Sequence, residues 1–335
     1  MAWAHNIVTR GLGPARQLKV GIGDMEKKLL MALDGSISSL NTLAYLAMME
    51  AAVIHDLAVV LYHVMDPIPP HLRRHGQSEP ESYRLVTQLE ERFRQSAETV
   101  LEKAREQLLS YGFEPEKVEV KMRPRVAGLA KDILFEAEHG LYDAVVLGRR
   151  GANRLQEVLL GSVANKVVQH ADRVPVWVVG DRVTSHRVLC AVDGSSSSLQ
   201  TVDHLAFMLG DNPDCEVTLF HVGANLTNFR RLELSPDQDL DLEEELRALD
   251  RRQMSDFTAR ALEILGEGGV KPSRVRVALN QNGDSVSRAI LVEAHRGDYG
   301  TVVIGRRGQG QSFFMGHVSD RIVGKGSELA VWVVG

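Results

Sequence analysis

Residues 142–151 read YDAVVLGRRG, and residues 299–308 read YGTVVIGRRG. In each, a tyrosine leads into an unbroken apolar run that stops at a glycine, two arginines and a second glycine. A run of Val, Ile, Leu and Ala without polar alternation describes a strand covered on both faces, the kind found in parallel sheets. The copy lies 157 residues downstream, so the surroundings of both stretches decide whether a motif or a whole domain is repeated.

The surroundings are repeated too. LLMALDGSISSL at 29–40 answers to RVLCAVDGSSSSL at 187–199, VVLYHV at 59–64 to VTLFHV at 217–222, and VPVWVVG at 174–180 to LAVWVVG at 329–335. Four matching blocks in one order make a duplicated domain. Residues 27–180 form the first unit, 185–335 the second, and 1–26 an N-terminal extension. A chain of 335 residues with 44% hydrophobic content has enough apolar mass for two cores.

Between the apolar runs the period changes. Leu85, Leu89, Phe93, Ala97, Leu101, Ala104 and Leu108 recur at three- and four-residue spacing, with Glu and Arg opposite them. That is an amphipathic helix. Strands are expected near 29–33, 59–64, 117–122, 143–147 and 175–179, and helices near 39–53, 83–110, 127–138 and 162–171. Strand–helix–strand alternation with right-handed crossovers gives an α/β fold: two doubly wound, open, parallel five-stranded sheets. Ligands of such sheets sit beyond the carboxyl ends of the strands, at the point where the winding reverses.

Composition narrows the partners. The formal net charge is −5, which offers no basic field for a phosphate backbone, so nucleic acid is not expected as the main partner. No stretch is long and apolar enough to span a membrane, and residues 1–26 lack the apolar centre of an export signal, so a cytoplasmic protein without a membrane partner is expected. Cys190 and Cys215 are the only cysteines. Both fall in or beside expected strands, which suits buried thiols rather than a disulfide framework.

The glycines carry the candidate site. Gly148 and Gly151 follow the fourth strand of the first unit; nine residues after Gly151 come Gly161 and Ser162, at the start of an amphipathic helix. Glycine permits close backbone approach to an anion, and Ser162 is placed to cap a helix whose free amides favour phosphate. Asp34, after the first strand, can accept from sugar hydroxyls or an exocyclic amine, or cap the next helix. Arg149 and Arg150 are either phosphate contacts or solvated flanks.

G-x-x-G, nine residues, then G-[ST], with Asp closing the first strand and HV the second, resembles the nucleotide-binding signature of the universal stress proteins. The resemblance covers both units, residues 27–335, and implies a tandem member with strand order 3-2-1-4-5. It further implies an adenine nucleotide, ATP or its ADP and AMP relatives, with Mg²⁺ on the phosphates. Asp34 and Val64 would then hold adenine and ribose, Leu147 and Gly148 would line the ribose, and Gly151, Gly161, Ser162 and Val163 would meet the phosphates. The equivalents in the second unit are Asp193, Val222, Ile304, Gly305, Gly308, Gly316, His317 and Val318. There the spacer between Gly308 and Gly316 is two residues shorter and His317 replaces the small hydroxyl residue, so weaker or altered nucleotide binding is expected.

No Walker A sequence or hydrolase-type nucleophile motif is present, and no catalytic residue is assigned. The leading expectation is an ATP-binding regulatory protein of the stress response, acting on a protein partner not yet identified. Two alternatives remain: a ligand-independent interaction scaffold, and an adenylating enzyme of the ATP-pyrophosphatase type suggested by DGSISS and DGSSSS. The resemblance also implies pairing of the two last strands within the chain, with Trp177 and Trp332 near the seam, and a homodimer is an open option.

Overall fold

The structure is a computed structural model that describes residues 26–69, 71–72, 80–149, 160–210, 212, 215–223, 236–280, 285–307 and 315–335. The first half runs β1 (Lys27–Ala32), α1 (Ile37–Ala52), β2 (Leu57–Met65), α2 (Pro80–Ser110), β3 (Val118–Pro124), α3 (Leu129–His139), β4 (Ala144–Gly148), α4 (Ser162–His170) and β5 (Val176–Val179). The second runs β6 (Val188–Val192), α5 (Ser196–Leu209), β7 (Val217–Val222), α6 (Pro236–Glu267), β8 (Val275–Asn280), α7 (Val286–Arg296), β9 (Thr301–Gly305), α8 (His317–Lys325) and β10 (Ala330–Val334). Element by element the second half repeats the first.

β1 begins two residues before the apolar run, at Lys27. The Lys27 side chain is buried, its ammonium lies 3.4 Å from the His55 carbonyl oxygen, and burial lowers its pKa. A buried lysine at a strand start is invisible to hydropathy.

The strands form one sheet of ten, in the order β3-β2-β1-β4-β5-β10-β9-β6-β7-β8. The two expected five-stranded halves join edge to edge into this one sheet because the last strands pair, as the resemblance implied: β10 runs antiparallel to β5 with Trp332 opposite Trp177. Every other pairing is parallel. An apolar edge strand is an aggregation liability, and each half removes its own by pairing it with the other's. On one face α1, α2, α5 and α6 bury Leu43, Leu101, Leu205 and Leu265; on the other, α3, α4, α7 and α8 bury Ile133, Val167, Ile290 and Ile322.

The seam is aromatic. The indole rings of Trp177 and Trp332 stack with centroids 3.8 Å apart and planes within 1° of parallel, both fully buried. Such a pair contributes about 0.5–1.5 kcal/mol beyond its burial. The Trp332 indole N–H donates to the Tyr45 hydroxyl at 2.9 Å, and that hydroxyl lies 2.9 Å from the Thr301 hydroxyl. At the position equivalent to Tyr45 the second half has His204, edge-on to both indoles at 6.3 and 6.2 Å. Neither ring nitrogen of His204 has a hydrogen-bond partner among the described residues, and burial drives its pKa down to about 3.

Two arginines tie the halves reciprocally. The Arg149 guanidinium, 1% exposed, donates to the carbonyls of Val323 and Gly324 in the last turn of α8. Its counterpart Arg306, 2% exposed, donates to the Gln169 carbonyl at the end of α4 and pairs with Asp172 at 2.8 Å. Helix C-termini carry orphan carbonyls and a partial negative charge, and a guanidinium satisfies both. Further ties come from the linker, where Asp181 accepts from the Ser38 hydroxyl at 3.0 Å, and from the second half, where the Asn212 side-chain amide donates to Ala52 O at 2.9 Å.

Two outcomes follow from the seam. Replacing Arg149 by Met keeps the length but strands two buried carbonyls, and should lower the unfolding free energy by about 1–3 kcal/mol. An Arg307→Met control on an exposed neighbour should cost under about 0.5 kcal/mol; urea melts followed by circular dichroism compare them, and equal losses would show that the guanidinium clamp is unimportant. For His204 the folded pKa lies below the unfolded one, so the unfolded chain takes up the proton first. Stability is then full above pH 6.5 and falls as pH drops toward 3, by up to about 1.4 kcal/mol per unit. His204→Tyr should flatten that slope relative to wild type in urea melts between pH 7.5 and 5, and parallel slopes would contradict the assignment.

Candidate functional site

Strand order reverses at β1, which has β2 on one side and β4 on the other, and the candidate residues gather beyond the carboxyl ends of these strands. After β1 the chain turns through Gly35, whose φ of +76° lies in the left-handed region. Asp34 is exposed at this turn and accepts the Ser36 amide at 3.0 Å, while the Ser36 hydroxyl caps α1 by accepting from Ser39 N at 3.2 Å. The capping role that the sequence allowed Asp34 therefore belongs to Ser36. His63, before Val64, ties the end of β2 to the end of β1 through its Nδ1, 2.8 Å from Leu33 O. A carbonyl only accepts, so Nδ1 is the donor.

Leu147 is buried and Gly148 ends β4. A Cβ on Gly148 would lie 2.9 Å from Ser38 O. Close approach of β4 to the first turn of α1 is thus one reason for glycine here, alongside the ligand approach that the sequence suggested.

Gly161 returns the chain to the same edge, its amide donating to Arg149 O at 2.9 Å, and it is the N-cap residue of α4. This corrects the expectation that Ser162 caps the helix: Ser162 is the first helical residue, exposed, and α4 has no side-chain cap bond. The first amides of α4 therefore point off the helix without an intrahelical acceptor. Val163 is half-buried beside them. Arg149 is committed to α8 and is not available as a phosphate contact. Arg150 and Gly151 lie outside the described residues, as do Gly308 and residues 1–25.

The second half closes its loop in the same way, with Gly316 N donating to Arg306 O at 3.0 Å. Its details differ. Asp193 is half-buried and its Oδ1 accepts both the Ser195 amide and, at 2.7 Å, the Ser198 hydroxyl. Gly316 is the N-cap residue of α8, His317 stands exposed in its first turn, and Val222, Ile304, Gly305 and Val318 take the positions of Val64, Leu147, Gly148 and Val163. A Cβ at Gly305 would meet nothing closer than 3.2 Å, so the second edge is less tightly closed by its helix.

Behind this edge stands a His221–Asp250 pair that sequence reasoning missed, in which Nε2 lies 3.0 Å from the carboxylate and Nδ1 lies 2.9 Å from Val192 O. The signal was only the H of the HV pair. Among the described residues, no group of three or more His, Cys, Asp or Glu side chains is placed to hold a metal, and no helix is long and apolar enough to cross a membrane. Burial pushes the Cys190 and Cys215 thiols up to about 12, far from thiolate chemistry.

Comparison with known proteins agrees with this geometry. The universal stress protein family matches twice, over residues 25–180 and 184–335. A universal stress protein of Mycolicibacterium smegmatis is 26% identical over 201 residues, 59% of this chain and 64% of that protein, so the match spans somewhat less than two thirds of the relative's length. One of Methanocaldococcus jannaschii is 28% identical over 156 residues, 47% of this chain and 83% of its own length. Among solved structures, a universal stress protein from Archaeoglobus fulgidus superposes with a TM-score of 0.61 at 21% identity, covering 92% of this chain and 97% of that one. A protein of unknown function from Pseudomonas aeruginosa gives 0.56 at 14% identity, covering 93% of each. With a double match across nearly its whole described length, the chain belongs to the universal stress protein family and carries two of its domains in tandem.

Proposed function

We propose that the first half binds an adenine nucleotide, with ATP the leading candidate and ADP or AMP the alternatives, and that the bound state biases a surface read by another protein in the stress response. The observation that carries this reading is the start of α4: an uncapped helix N-terminus opening at the switch point, beside the exposed carboxylate of Asp34. Free amides and the helix dipole favour a phosphate chain, and a carboxylate at the neighbouring strand end suits ribose hydroxyls or an exocyclic amine.

In this reading Asp34 and the Val64 backbone orient adenine and ribose, Leu147 and Gly148 bound the ribose, and Gly161, Ser162 and Val163 supply phosphate contacts, together with Gly151. Mg²⁺ would neutralise the phosphates rather than occupy a protein cage. Site 2 is the weaker one: Asp193 already accepts a serine hydroxyl, and an imidazole stands where site 1 has a hydroxyl. A ligand-independent scaffold is the second reading. It is favoured by the seam, whose clamps use no ligand, and by Gly148, which packing against Ser38 already explains.

Isothermal titration with ATP should give one stronger site per chain. Gly161→Asp places a carboxylate at the phosphate end of site 1 and should weaken that site by tenfold or more, roughly the effect of one unfavourable charge contact. Gly316→Asp should leave it nearly unchanged. Mass analysis of nucleotide carried through purification identifies the ligand. Absence of binding by ATP, ADP and AMP alike would leave the scaffold reading in possession.

A further inference from the structure

Away from the switch point, on the outer face of the second half, α7 and α8 enclose a groove of about 740 Å³. Its α7 wall carries Arg288 and Arg296 with Leu291 and Val292 between them; its α8 wall carries Arg321 and Lys325. All four cations are exposed, and none forms an ion pair with another described residue. Among the described residues no carboxylate lines the groove. Val292 is 52% exposed, an apolar floor left open among charges.

The spacing is regular. Arg288, Leu291, Val292 and Arg296 follow the i, i+3, i+4, i+8 positions of one helical face, and Arg321 and Lys325 are one turn apart on the other helix. The face is about 12 Å long at 1.5 Å per residue, enough for two turns of a docked helix. Four unpaired positive charges in a chain of net charge −5 are a local departure from the global sign.

The first half shares it only in part: Lys131 stands in the place of Arg288. Where the second half has Val292, His295 and Arg296, α3 has Phe135, Glu138 and His139, and the Phe135 and His139 rings stack at 3.8 Å. Arg321 and Lys325 correspond to Lys166 and His170. The second half therefore differs by two further cations, Arg296 and Lys325, and by the open apolar position at Val292.

We infer that the α7–α8 groove is a docking surface for an acidic amphipathic helix of a partner protein, its carboxylates meeting the four cations and its apolar side chains resting on Leu291 and Val292. This gives a surface to the protein partner named above and rests on that part of the reading alone; it needs no nucleotide. Charge complementarity selects the partner's sign, and the apolar floor selects peptide over nucleic acid. A phosphate backbone has nothing to place on leucine and valine, and it is repelled by the rest of the chain. The α8 wall is the helix whose last turn Arg149 holds, so the groove is anchored from the first half.

Fluorescence anisotropy on the intact, nucleotide-free chain tests it with a labelled helical peptide carrying Glu on both sides of a Leu face. The peptide should bind, tighten at low salt, and weaken about tenfold when Gln replaces Glu, when Ala replaces Leu, or in the Arg288→Gln/Arg321→Gln variant. Circular dichroism confirms that this exposed-site variant stays folded. Equal affinity of the Glu and Gln peptides, an unaffected variant, or duplex DNA bound more tightly than the Glu peptide would each overturn the inference. So would light scattering that shows a dimer of this chain dissolved by the same variant. Failure here leaves ATP titrations untouched, and the two readings fall separately.

Discussion

The antiparallel pairing of β5 with β10 is the constraint on which the rest of the molecule depends. It turns two sheets into one, hides two apolar edges that neither half could leave bare, and brings Trp177 onto Trp332 at van der Waals distance. Once the strands are locked in that register, the residue after the glycine ending β4 in the first half, or β9 in the second, reaches the opposite half. Arg149 satisfies the end of α8 and Arg306 the end of α4. Each arginine also supplies the carbonyl that accepts the amide of Gly161 or Gly316. The root of each glycine loop is thereby shared between its own helix and its neighbour's, so the two candidate sites are joined mechanically by two buried side chains.

Duplication left a common frame and allowed its halves to diverge. At the seam Tyr45 makes a hydroxyl network with Trp332 and Thr301, whereas His204 in the same position has no hydrogen-bond partner among the described residues and sits against the stacked indoles. At the switch point Asp34 is exposed and Asp193 is half-buried and engaged by Ser198. On the outer helices a stacked Phe135–His139 pair in one half faces an open basic groove in the other. None of these changes disturbs strand order, because each occurs at a strand end or on a helix rather than in the runs of Val, Ile and Leu that set the sheet.

Most strands and helices were legible because their hydrophobic periods are long and repeated, and a second copy of each pattern supports the first. Errors fell at the ends, where a few groups decide: Lys27 extends β1 as a buried charge, and Ser36 rather than Asp34 caps α1. Gly161 rather than Ser162 is the cap position of α4, because the amide of Gly161 is drawn to Arg149 O one residue earlier than the sequence suggested. Arg149, after Gly148, invited a phosphate role on chemistry alone. Nothing local could show that the helix C-terminus it satisfies, like the one Arg306 satisfies, lies more than 130 residues away.

The sequence by itself determined the α/β class, the duplication, the unit boundaries near 27, 180 and 185, and the placing of the glycines at a strand-to-helix edge, since all of these are patterns of neighbours along the chain. Tertiary structure alone decided that the seam register stacks Trp177 on Trp332, that two arginines belong to the seam, that His204 is buried with no hydrogen-bond partner among the described residues, and that four cations converge on an open apolar floor. The physical reason is the range of the interaction. Periodicity is written in residues three or four apart, whereas the partner of a buried guanidinium or an unpaired cation is chosen by folding, from the other end of the chain.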